Sequence, residues 1–235
     1  MDMTNFEKDF RLFASDHNVS TSAFDDYKRS FDAQYIEPTI VEERRLNATQ
    51  ISVFSRLFME RILFIGTEIN SDVANIVNSQ LLYLQTENPN KPITMYINSP
   101  GGSVYDGMSI YDVCKFISCP IATTCCGTAA SMAAVLLSSG DKGLRSALPH
   151  SQIMIHEPMA GIPARTKCTD YLIEAEQMKK CKDMLINVLA ENAGMDVKEM
   201  EEYCSRDKWF FPSECLPNVF GKYGLIDTVI ERKNK

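Results

Sequence analysis

The sequence predicts an α/β fold with mainly parallel strands. Three observations predict it. Short apolar runs rich in β-branched residues alternate with longer segments of helical period. Glycine-containing turns follow the first three of these runs. The unit of strand, turn and helix recurs four times between Arg61 and Asn192. At 235 residues the chain can bury one sizeable core, or one core with an appendage.

In order, residues 1–34 are polar, with Phe6, Phe10, Phe13, Phe24 and Phe31 scattered through them. They read as short amphipathic helices or a tail. Tyr35 to Arg56 has a charged centre, Glu42 to Asn47, flanked by apolar residues, and reads as a loop or hairpin facing solvent. Arg61 to Ile65 is the first strand of the repeat, followed by Gly66. Its helix begins at Ser71, with Val73, Ile76, Val77, Leu81 and Leu84 on one face and Asn70 or Ser71 as cap. Ile93 to Ile97 is the second strand. NSPGGS turns the chain into a helix carrying Val104, Met108, Tyr111 and Cys114, and Ser103 with Asp106 has the spacing of a cap.

The third unit, IATTCCGTAASMAAVLLSSG, organises the rest. Ile121 to Cys126 reads as a buried strand, broken by Gly127 and Thr128, with a helix from Ala129 to Leu137. Ser131 then falls in a first helical turn, where backbone N–H groups lack partners and negative charge is favoured. That placement suits a nucleophile; a small residue in a close-packed helix start is the plain alternative. Ser151 to His156 is the fourth strand. Helices at about Thr169 to Asn192 and Val197 to Cys204, and a strand at about Leu225 to Ile230, complete the chain. The long helix carries Met178, Cys181, Leu185, Val188 and Leu189 as its stripe.

Composition excludes several functions. A net charge of -7 and a pI of about 5.1 argue against nucleic acid or an anionic membrane as partner. No apolar run reaches the roughly 20 residues of a membrane span, and MDMTNFEKDFRLFASDHN has no apolar signal region. None of the eight cysteines forms a C-x-x-C pair, so zinc and redox sites are not expected. A reducing cytoplasm is expected, without a metal or cofactor. There is no G-x-G-x-x-G, P-loop or G-x-S-x-G sequence.

In such folds sites gather at the carboxyl ends of strands. The loops there are Asn98 to Ser103, Gly127 to Ser131 and His156 to Ala160. Of three histidines, His17, His150 and His156, the last ends an apolar strand at that rim. Serine, histidine and an acid together make a weak hydroxyl nucleophilic. Gly101 and Gly102 let backbone approach a substrate closely, as an oxyanion hole requires; a tight turn is the plain reading. Asp112, Asp141, Asp170, Asp207 and Asp227 are all eligible acids by type, and the residues alone do not choose among them.

YINSPGGSVYDGMSIYD, GTAASMAAVLL and RSALPHSQIMIHEP, in that order, resemble the proteolytic subunits of the caseinolytic (Clp) proteases, the ClpP family. The resemblance runs from about Pro38 to Glu231. It implies a spiral of β-β-α units like that of the crotonases. It implies a serine endopeptidase with Ser131 as nucleophile, His156 as base and Asp207, in SRDKWF, as acid. The oxyanion donors would be the amides of Gly102 and Met132. Gly101, Gly102, Ser103, Glu157, Pro158 and Met159 would hold an extended substrate strand. The implied partners are further copies of the chain in two stacked heptameric rings, an AAA+ Clp unfoldase of the ClpX, ClpA or ClpC type, and unfolded polypeptides. Residues 1–34 would be a leader, mobile or processed, 35–56 the axial-loop segment, with Glu42 to Arg45 lining the entrance, and 57–235 the peptidase domain.

Two departures from the family pattern stand out. Met159 to Arg165 replaces a glycine- and glutamine-rich strand and contains Pro163, which removes a backbone donor. PSECLPNVFGKYGLID is longer than the usual link after the acid. They motivate an alternative, a catalytically silent ring subunit that assembles with an active paralogue. A crotonase-type acyl-CoA enzyme ranks last, because it needs no Ser–His pair.

Overall fold

The computed structural model describes residues 39–44, 47–159, 161 and 167–231. The expectations for the 1–34 leader, for Arg45 and for Pro163 lie outside them. The chain divides into two units, Met1–Arg56 and Leu57–Lys235. In the first, β1 (Thr39–Arg44) and β2 (Asn47–Ser52) form an antiparallel hairpin, with Thr39 opposite Ser52 and Arg44 opposite Asn47. Of the charged segment, Glu42 to Arg44 and Asn47 lie in these strands. Helix α1 (Val53–Met59) follows.

The second unit is built on a parallel sheet in the order β3 (Ile62–Ile65), β4 (Ile93–Ser99), β5 (Ile121–Ala130), β6 (Arg145–Ala147), β9 (Thr228–Val229). The strand β7 (Gln152–Ile155) also pairs with β5, parallel and farther along it. β8 (Lys208–Phe210) runs antiparallel to β7. The helices are α2 (Ser71–Glu87), α3 (Val104–Phe116), α4 (Met132–Ser138), α5 (Cys168–Ala193) and α6 (Val197–Cys204).

Alternation decides which face of β4 is buried: Ile93, Met95, Ile97 and Ser99 point inward, and Asn98 is exposed. Helix α2 buries Ala74, Val77, Leu81 and Leu84, while Ile76 turns outward. Asn70 caps it by accepting from the Val73 N–H at 3.0 Å. Ser103 caps α3 by accepting from Asp106 N–H. Every residue of α4 is buried, so this short helix is held by packing rather than by propensity. The long α5 buries only its last turns, through Leu185, Ile186, Leu189, Ala190 and Ala193, and ends on the left-handed Gly194.

Three elements differ from the sequence reading. β5 does not stop at Gly127 and Thr128; it continues to Ala130, because Thr128, Ala129 and Ala130 find partners in Gln152, Ile153 and Met154 of β7. The next helix therefore begins at Met132, not Ala129. The last strand shrinks to two residues, since the N–H groups of Leu225 and Ile226 both turn to the Cys215 carbonyl instead of to β6. β6 and β8, three residues each, are too short to carry a period.

Arg145, the first residue of β6, is 1% exposed. All five of its side-chain N–H donors are used. They reach both carboxylate oxygens of Asp227 and the carbonyls of Asn192, Tyr223 and Gly224, at 2.6 to 3.1 Å. Burial alone would push the Asp227 carboxyl up. The guanidinium, and the amides of Arg145 and Gly143, hold it below the usual carboxylate range. Its contribution to stability is therefore complete above about pH 4 and is lost as acid protonates it. Asp227→Asn should cost roughly 3–5 kcal/mol at pH 7, as loss of one partner of a buried ion pair does. In denaturant melts the gap to wild type should close below about pH 4.

Candidate active site

Three neighbouring strands end at one level and carry one candidate residue each. In the β5–β7 ladder Ala130 lies beside Met154, so Ser131 and Ile155 come next. In the antiparallel β7–β8 ladder Ile155 faces Lys208, so His156 and Asp207 are the next pair out. The side chains meet as that register requires. Ser131 Oγ lies 2.8 Å from His156 Nε2, and His156 Nδ1 lies 3.0 Å from Asp207 Oδ1. The carboxylate only accepts, so Nδ1 carries the proton and Nε2 is left to accept from the hydroxyl. Asp207 is 66% exposed, whereas the imidazole is 9% exposed.

Ser131 does not lie in the first helical turn. It caps α4 with φ 54° and ψ −124°, a left-handed conformation rare outside glycine. Such a conformation costs of order 1–3 kcal/mol and persists only where its surroundings impose it. Here the Ser131 N–H donates to Met154 carbonyl at 2.8 Å, and the Ser131 carbonyl accepts from Ala134 N–H at 3.0 Å. The hydroxyl makes no cap hydrogen bond and is turned to His156. The turn from strand to helix is sharp, like the nucleophile elbow of the G-x-S-x-G motif. Ala129 and Ala133, both fully buried, stand where that motif has glycines.

The NSPGGS turn packs against this elbow. A Cβ on Gly101 would lie 2.8 Å from Ser131 Cβ and 3.0 Å from Met132 N, and φ there is +95°. A Cβ on Gly102 would lie 2.2 Å from the Ile69 carbonyl oxygen. Hydrogen bonds from Ile69 N–H to Gly101 carbonyl and from Ser103 N–H to Ile69 carbonyl, both 2.8 Å, stitch the turn in place. Among the described residues, nothing accepts from the N–H of Gly102 or Met132.

A small cleft lies beside Ser131 and His156. Val104, Val135, Ile155, Pro158, Leu185 and Leu189 make its walls apolar. Of the other expected substrate residues, Ser103 is engaged as the α3 cap and Met159 is 81% exposed. Glu157 is held from two sides. Its N–H donates to Cys204 carbonyl at 2.7 Å, and its carboxylate pairs with Lys182, which also pairs with Glu201. These two acids hold the Lys182 ammonium above its ordinary range. The remaining four acids are elsewhere: Asp112 is exposed on α3, Asp141 accepts from Ile121 N–H, Asp227 is bound to Arg145, and Asp170 is in the first turn of α5. Among the described residues, no three His, Cys, Asp or Glu side chains are grouped as a metal site would need.

A family model described as Clp protease matches residues 45–233. The chain belongs to the Clp protease family. It is 44% identical to an ATP-dependent Clp protease proteolytic subunit of Porphyromonas gingivalis, over 97% of this chain and 99% of that one. It is 46% identical to the subunit of the same name from Bacteroides fragilis, over 96% and 99%. A proteolytic subunit 1 from Salinibacter ruber is 41% identical, over 84% of this chain and 82% of its own length. The first two alignments take in part of residues 1–34, beyond the reach of the three sequence motifs. Nothing in the site favours the silent-subunit alternative. Pro163 lies outside the described residues. The lengthened segment folds through a 3-10 turn, Pro212–Cys215, and leaves the His156–Asp207 contact intact.

Sequence reasoning missed the strain at Ser131 and the pairing of Glu157 with Lys182. The run of small residues A-A-S-M-A was the available signal for the first; the second had none. Gly101→Ala should push on the Ser131 turn. A shift of about 1 Å there lowers the rate roughly 10²-fold, which the labelling rate of Ser131 by a fluorophosphonate would report.

Proposed function

We propose that this member of the Clp protease family is a serine endopeptidase that cuts unfolded polypeptides into short peptides. The observation that carries the reading is the unbroken chain of contacts from Ser131 through His156 to Asp207, at 2.8 and 3.0 Å. Ser131 Oγ attacks the scissile carbonyl while His156 Nε2 takes its proton. The new oxyanion is met by the N–H groups of Gly102 and Met132. As the intermediate collapses, His156 returns the proton to the leaving amine, and an acyl-enzyme remains on Ser131. Water, deprotonated by the same imidazole, releases the second product. Asp207 keeps the imidazole in the tautomer that can accept.

The substrate lies extended between the NSPGGS turn and Glu157 to Met159, adding a strand to exposed backbone. The apolar cleft takes the side chain that precedes the cut bond. The chain carries no P-loop sequence, so ATP hydrolysis is assigned to a separate AAA+ Clp unfoldase, of the ClpX, ClpA or ClpC type. The assembly is a homo-oligomer of two stacked heptameric rings. Its free thiols fit a reducing cytoplasm.

A fluorophosphonate probe should label the wild type and not Ser131→Ala; labelling that survives the substitution would overturn the assignment. Asp207→Asn should lower kcat by about 10³–10⁴, the effect of leaving the imidazole in the wrong tautomer. Fluorogenic peptides with leucine or methionine before the cut should be turned over at least tenfold faster than those with aspartate or lysine. A flat or reversed preference would remove the cleft from the reading.

A further inference from the structure

The β4–β5 ladder jumps just before the site. Ile97 pairs with Cys125, and the next pair is Ser99 with Ala129. One residue of β4, Asn98, therefore faces three of β5, Cys126, Gly127 and Thr128. Such an insertion frees backbone groups and re-aims the strand beyond it. Side chains meet the freed groups here. Asn98 Oδ1 accepts from Thr128 N–H at 3.0 Å, and the Cys126 thiol donates to the Ile97 carbonyl at 3.6 Å. Gly127 is not in a positive-φ conformation. A Cβ on it would lie 2.3 Å from Asn98 Oδ1, so any side chain there would displace the Asn98 carboxamide.

Asn98 and Thr128 stand at the roots of the two turns that form the site. Asn98 opens the NSPGGS turn, and Thr128 lies three residues before Ser131. We propose that Asn98 is a positioning residue that fixes the offset between these turns, and so aligns the amides of Gly102 and Met132 with the Ser131 hydroxyl. This rests on the peptidase reading given above. Asn98 touches no reacting atom. It sets the distance between groups that do, and such alignment acts on the transition state more than on substrate binding.

The test uses the full chain with a fluorogenic peptide, and Ser131→Ala as blank. Asn98→Ala removes the acceptor and should lower kcat between about 10- and 100-fold, with KM within about threefold of wild type. Gly127→Ala displaces the same carboxamide without touching Asn98 and should give the same split. Asn98→Asp keeps the acceptor oxygen; at high salt, where its added charge is screened, it should keep kcat within about threefold of wild type. Melting temperatures and far-UV dichroism separate alignment from folding. Should Asn98→Ala melt below the assay temperature, Gly127→Ala decides. Wild-type kcat in a folded Asn98→Ala or Gly127→Ala, or a loss in Asn98→Asp equal to that in Asn98→Ala, overturns the proposal. A wild type no more active than the Ser131→Ala blank overturns instead the peptidase reading beneath it.

Discussion

Strand β5 is shared between two partners on one edge, and the site depends on that. Its first half pairs with β6 through Thr123 to Cys125, and its second half with β7 through Thr128 to Ala130. The second pairing brings β7, and β8 beyond it, to the same end of the sheet. Serine, histidine and aspartate then follow as the next residue off each strand. No loop has to search for the geometry. Backbone ladders set it, and the side chains only complete it.

The same pairing accounts for the strain at Ser131. A ten-residue strand that runs straight into a seven-residue helix leaves one residue to make the turn. The bond from Ser131 N–H to Met154 carbonyl belongs to the β7 side, so the partner that extends the strand also holds the turn. Small residues follow from this. Ala129, Ala130, Ala133 and Ala134 are all 3% exposed or less, and larger side chains would part the elbow from the sheet. Arg145 acts in a similar way, joining the end of α5, β6 and the segment from Tyr223 to Asp227 through one saturated guanidinium.

Much of this was legible in the sequence, for identifiable reasons. The helices carried apolar stripes, and the strand ends carried Gly101-Gly102, Ser131 and His156. Chemistry alone left five acids open; only the resemblance in SRDKWF singled out Asp207, and the register of β7 against β8 explains why it reaches His156. Gly127 misled the reading of β5, because a glycine that leaves room for a neighbour looks the same in sequence as one that ends a strand. β6 and β8 were invisible because three residues show no period. Nothing in the sequence marked Arg145, since its five acceptors come from distant parts of the chain. The hairpin of β1 and β2 was legible only as one of two options, because alternation there is blurred by charge.

The order of the chain has a consequence for synthesis. A ribosome releases the hydroxyl first, the imidazole after it, and the carboxylate only near the end, on a ribbon of three rungs that needs both earlier strands in place. Until that ribbon closes, the emerging polypeptide has no carboxylate to hold the imidazole in the tautomer that accepts from the hydroxyl.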